Sequence, residues 1–131
     1  MGDPTAPVAV LLIHGFGANT NHWRFNQPVI AKLAPTYAID LLGFGRSDQP
    51  RARLKQEPAD DTALHYGFDL WGQQVADFCC QVIDKPVLLV GNSIGGVVAL
   101  RAAQLLGPDQ CKRVVLIDCA QRLMDDKQLA T

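Results

Sequence analysis

Residues 87–106, VLLVGNSIGGVVALRAAQLL, constrain the fold more than any other stretch of the chain. The run from Val87 to Val90 is apolar without alternation, which is how a strand covered on both faces reads. From Ile94 onward apolar and small residues continue at helical spacing, until Gly107 and Pro108 supply a stop. Between the two patterns the chain turns within Gly91-Asn92-Ser93-Ile94-Gly95. A buried strand that runs straight into a helix is the unit from which parallel α/β sheets are built, because parallel neighbours need a crossover and that crossover is usually a helix.

Three further runs read the same way: VAVLLI at 8–13, TYAID at 36–40 and RVVLID at 113–118. Between them, Phe68, Trp71, Val75, Phe78 and Val82 recur at three- and four-residue steps and predict a helix with Asp69 as its N-cap. A shorter helix is expected over about 27–33, with Pro28 in its first turn. The pattern predicts one α/β domain, an open parallel sheet with right-handed crossovers and helices on both faces, a three-layer αβα arrangement. Residues 49–67, rich in proline and charge, read as an exposed loop. The fourth run would leave an apolar edge, which is expected to invite self-association.

Charge sets limits on partners. Twelve Lys and Arg face thirteen Asp and Glu, scattered along the 131 residues, so no basic stripe is present to bind nucleic acid. No stretch reaches the roughly 20 apolar residues of a membrane span. Cys79, Cys80, Cys111 and Cys119 form no CxxC pair and stand at no metal-ligand spacing with histidine. A reduced, cytoplasmic setting is expected, with neither metal nor organic cofactor.

The chemistry-bearing positions lie where the strands end. Gly91–Gly95 fits G-x-S-x-G with the strand and helix that the motif requires, so Ser93 would stand at the apex of a tight turn as a candidate nucleophile. The alternative is a serine that merely caps the helix. His14-Gly15-Phe16-Gly17 ends the first run, where the amides of Phe16 and Ile94 could together hold an oxyanion. By itself this loop also reads as a plain Gly-rich exit from a strand. In DLLGFGRSD, 40–48, Gly43 and Gly45 predict positive φ, while Asp40 and Ser47 are expected to bond the turn's backbone, a structural role.

Taken in this order and spacing, HGFGAN, DLLGFGRSD and GNSIGG resemble the α/β-hydrolase superfamily, and the resemblance runs through essentially the whole chain. It is nearest to esterase-like, pheophytinase-like and cofactor-free haloperoxidase-like members. The resemblance implies a serine hydrolase acting on a small-molecule ester or similar carbonyl, with Ser93 as nucleophile, the Phe16 and Ile94 amides as oxyanion donors, and Gly15 and Trp23 at the substrate cleft. A serine at the elbow sets the chain apart from haloalkane dehalogenases.

Two departures bear on function. The family's general-base histidine falls near the end of a chain about twice this length, and strands that precede VAVLLI in the family have no counterpart here. Residues 1–131 are therefore expected to be a hydrolase core incomplete at both ends and nearly inactive alone. His14, His22 and His65 match no catalytic position; Asp118, at the end of the fourth run, matches the place from which some members take their acid. Two other readings stay open at this stage. One is an inactive fragment or non-enzymatic binding module. The other is a dinucleotide fingerprint at Gly15 and Gly17, opposed by Thr20 where the third glycine belongs.

Overall fold

The computed structural model describes residues 1–52 and 63–119. Along the chain come β1 (Ala9–Ile13), a 3-10 turn (Thr20–Trp23), α1 (Gln27–Ile30) and β2 (Thr36–Ile39). Two short strands, β3 (Arg51–Ala52) and β4 (Ala63–Leu64), precede α2 (Phe68–Phe78). After them come β5 (Val87–Asn92), α3 (Ile94–Leu106) and β6 (Cys111–Ile117).

The main sheet is parallel, with strand order β2-β1-β5-β6. β1 lies at its centre and all five of its residues are buried, which explains its unbroken apolar run. Ala9, Leu11 and Ile13 face a cluster built with α2 and α3; Val10 and Leu12 face a second cluster that holds Trp23, Ile30 and Ala38. Full burial of a side chain such as Leu11 or Leu12 stabilises the fold by about 1.5–3 kcal/mol. The helices thus occupy both faces, giving the expected three layers.

The direction in which successive strands are added to the sheet reverses between β1 and β5. From β1 the chain passes over one face to β2; from β5 it passes over the other face to β6. Their carboxyl-terminal loops therefore diverge and leave a crevice, the place where open α/β sheets bind ligands. Ile13 lies opposite Gly91 in the parallel register. Two residues beyond that pair, Gly15 and Ser93 come level with each other, so strand register brings together two motifs about 78 positions apart in sequence.

Some local expectations are corrected. Gly67, not Asp69, is the N-cap of α2. Asp69 lies inside the first turn and pairs with Arg101 at 2.8 Å, bridging α2 to α3. The helical pattern read as far as Val82 is regular α-helix only to Phe78 and then continues as a π-type turn, Cys79–Ile83, whose Cys79 carbonyl accepts from Asp84 N–H at 2.9 Å. α1 covers only Gln27–Ile30, because 31–33 unwind into turns. The segment 49–67 is not all loop: Arg51–Ala52 and Ala63–Leu64 pair in parallel, while 53–62 lie outside the described residues. The β6 edge is apolar and open as expected, with Val115, Leu116 and Ile117 each more than 40% exposed.

Candidate active site

Ser93 sits between β5 and α3 with φ 56° and ψ −123°, a backbone region that costs a residue with a Cβ about 1–3 kcal/mol. Its surroundings hold it there. Ser93 N–H donates to Ile117 O at 3.0 Å, continuing the β5–β6 ladder, and its carbonyl accepts from Gly96 N–H at 3.0 Å. The flanking glycines are sterically required: a Cβ on Gly91 would lie 2.5 Å from Gly96 N, and one on Gly95 would lie 2.5 Å from His14 O. The Ser93 side chain makes no capping bond to α3. A serine present to cap the helix would accept from the N–H of one of the next residues, so the capping alternative fails here.

The loop after β1 closes over the elbow. A Cβ on Gly15 would meet Asn92 O and Ser93 Cβ, each at 3.2 Å. Gly15 itself is buried, and Phe16 beyond it is 76% exposed. Among the described residues, neither Phe16 N–H nor Ile94 N–H donates to a protein acceptor. Ile94 is the first residue of α3, where unpaired amides and the helix dipole favour negative charge.

The turn at 40–48 has the structural role read from its sequence. The Asp40 carboxylate accepts from Thr20 N–H at 2.7 Å and Arg46 N–H at 2.9 Å, and Ser47 Oγ donates to Asp40 O. Gly45, at φ 56°, lies against that carboxylate, where a Cβ would stand 2.5 Å from Oδ2. Three bonds that no local pattern signals tie this turn to α2. Gln74 accepts from Leu42 N–H at 2.9 Å and donates to Asp40 O at 3.1 Å, while Trp71 Nε1 donates to Leu42 O at 2.9 Å.

His14 is fully buried, with both ring nitrogens engaged: Nε2 accepts from Leu41 N–H at 3.0 Å, and Nδ1 lies 2.7 Å from Gly15 O. Burial pushes its pKa below the ordinary 6.5, against the opposing pull of the Gly15 carbonyl and the Asp40 charge. His22 and His65 are exposed; His22 meets Trp23 edge-on at 4.8 Å. Asp118 follows the carbonyl that receives Ser93 N–H, at φ 47° and exposed.

Trp23 does not line the crevice. It is 4% exposed and packs with Val10 and Leu12, because the 3-10 turn capped by Asn19 folds it under the sheet. A separate groove of about 430 Å³ is lined by Phe16 with Gly43, Phe44, Gln49, Pro50, Tyr66 and Trp71, and Ser93 is not among its lining residues. Phe16 meets Phe44 edge-on at 5.5 Å, and Phe44 lies 5.9 Å from Trp71. These aromatic residues are far apart in sequence, and only the packing of α2 against the 40–48 turn assembles them.

A parallel sheet whose central strand and its neighbour end in an amide-bearing loop and a serine elbow defines an α/β fold of the hydrolase type. The family described as alpha/beta hydrolase fold matches residues 8–130, and the chain belongs to that family. It is 32% identical over 111 residues to 1-acylglycerol-3-phosphate O-acyltransferase ABHD5 of Sus scrofa, covering 85% of this chain and 29% of that protein. It is also 32% identical over 121 residues to 2-hydroxymuconate semialdehyde hydrolase of Pseudomonas sp. (strain CF600), covering 90% of this chain and 38% of that one. Among solved structures, olei00960, a hydrolase from Oleispira antarctica, superposes with a TM-score of 0.76 at 24% identity, over 95% of this chain and 41% of that chain. The chain thus spans well under half the length of these relatives.

Proposed function

We propose that this chain carries the nucleophile and oxyanion site of a serine hydrolase that acts on an ester or similar carbonyl. Ser93 Oγ attacks the carbonyl carbon as a general base takes its proton, and the Phe16 and Ile94 amides hold the developing oxyanion. The protonated base gives that proton to the departing group, and water, deprotonated by the same base, releases the acyl group as the acid while Ser93 regains its proton. The strained, uncapped Ser93 beneath Gly15 is the observation that carries this reading. Strain at a residue with a side chain persists only where the surroundings enforce it, and such positions cluster at active sites. The relatives support the class and leave the acceptor open: one is named an acyltransferase, another a hydrolase.

One observation favours a hydrolase core without turnover. Serine needs a base to lose its proton, and His14 has both nitrogens committed. Fluorophosphonate labelling, with Ser93→Ala as control, separates the two. Specific labelling of Ser93 supports the hydrolase reading, at a low rate in this chain and a higher one in a longer chain that carries the family's histidine. Absence of labelling at Ser93 in both would refute it.

A further inference from the structure

The geometry points to His14 as a positioning residue that aims the Phe16 N–H at the oxyanion by clamping the preceding carbonyl. The inference rests on the reading of Phe16 N–H as an oxyanion donor. Leu41 N–H donates to His14 Nε2 at 3.0 Å, so that nitrogen must present its lone pair. In a neutral imidazole the proton then belongs on Nδ1, and Nδ1 faces an acceptor, Gly15 O, at 2.7 Å. The Gly15 carbonyl takes a second bond from Ala18 N–H at 3.2 Å. A trans peptide is planar with its C=O and N–H opposed, so fixing the Gly15 carbonyl against the buried ring directs Phe16 N–H away from it.

Such a clamp has work to do in this loop. The Gly15–Phe16 peptide turns about Gly15 ψ and Phe16 φ, and glycine on its N-terminal side permits that rotation at little steric penalty. A rotated peptide would present a carbonyl oxygen where a donor is required, and would repel the oxyanion. The far end of the clamp is firm as well. Leu41 lies between Asp40 and Leu42, whose backbones are held by Gln74 and Trp71 of α2. The Leu41 N–H that fixes the His14 tautomer is thereby held in place. The ring is confined further by Phe44, edge-on at 5.5 Å.

Two variants divide the clamp. Asparagine at 14 can place its amide N–H near the Nδ1 position and keep the bond to Gly15 O; glutamine can reach Leu41 N–H as Nε2 does and loses the bond to Gly15. His14→Asn is expected to label with fluorophosphonate within about threefold of wild type per folded molecule. His14→Gln is expected to fall by about 10²-fold, the usual penalty for losing one oxyanion donor. Equal rates for the two variants would overturn the inference, because a purely structural histidine would lower both in step with stability.

Nitrogen NMR of the wild-type chain provides an arm that needs neither variant to fold and no reaction at Ser93. A proton on His14 Nδ1 is expected, and one on Nε2 would overturn the clamp. If Ser93 never labels while the Nδ1 proton is found and the Phe16 amide signal moves in His14→Gln but stays in His14→Asn, the hydrolase reading fails and the clamp stands.

Discussion

Gly95→Ala sets two opposed effects against each other and tests the contact on which the site depends. Gly95 is the second residue of α3, and alanine there would gain up to about 1 kcal/mol in helix propensity. Against this, its Cβ would fall 2.5 Å from His14 O and closer still to Ile13 O. Ordinary carbon–oxygen contacts begin near 3.3 Å, so α3 and the end of β1 would have to separate by about 0.8 Å. Both atoms are main chain and cannot rotate aside. Overpacking of this kind costs about 1–3 kcal/mol, which offsets the propensity gain and leaves a net loss of up to about 2 kcal/mol. The displacement also falls between Ser93 and the loop that carries Phe16. Misplacement by about 1 Å can lower reactivity by about 10²-fold, well beyond what the stability loss explains at temperatures where the variant remains folded. Urea denaturation and fluorophosphonate labelling of the same preparation measure both. A Gly95→Ala protein that is more stable than wild type and labels at the same rate would refute the packing of α3 against the oxyanion loop.

Further outcomes follow from the same geometry. Ser93→Gly relieves the positive φ whereas Ser93→Ala keeps it, so the glycine variant should be more stable by about 1 kcal/mol in urea denaturation, with labelling abolished in both. His14 has a folded pKa below 6.5, so as pH falls through 6.5 the unfolded chain takes up a proton that the folded chain refuses. Stability should decline from about pH 6.5 toward the folded pKa, by up to about 1.4 kcal/mol per pH unit. Asp40 opposes that decline and His22 adds to it, and comparison of wild type with His14→Asn in urea from pH 5 to 7 isolates the His14 share. Gln74→Leu leaves Leu42 N–H without its acceptor and should destabilise the chain by about 1–3 kcal/mol, with the Trp71 fluorescence environment altered. The open β6 edge should support concentration-dependent association in sedimentation experiments, and Val115→Lys should weaken it.

Much of this protein is determined by local sequence. The unalternating run at 8–13 forms a strand buried on both faces, the run at 86–90 one whose residues alternate between buried and half-buried, and the strand–GNSIG–helix pattern requires a turn that only glycine neighbours allow. Asp40, Gly43, Gly45 and Ser47 similarly form a turn whose internal bonds, from Arg46 N–H and Ser47 Oγ to Asp40, span fewer than ten residues, so their spacing discloses them, whereas the bond from Thr20 N–H to the Asp40 carboxylate spans twenty. The relation of Gly15 to Ser93 is different, because it depends on the register between β1 and β5. Tertiary structure alone decides which side chain reaches which backbone across long separations. Gln74 and Trp71 bond the 40–42 backbone from about 30 residues away, and no periodic pattern marks a glutamine for that task. Trp23 is the opposite case, an aromatic residue after a loop that could face either the crevice or the core. Its burial depends on how the 3-10 turn docks beneath β1, a packing outcome that local composition does not encode.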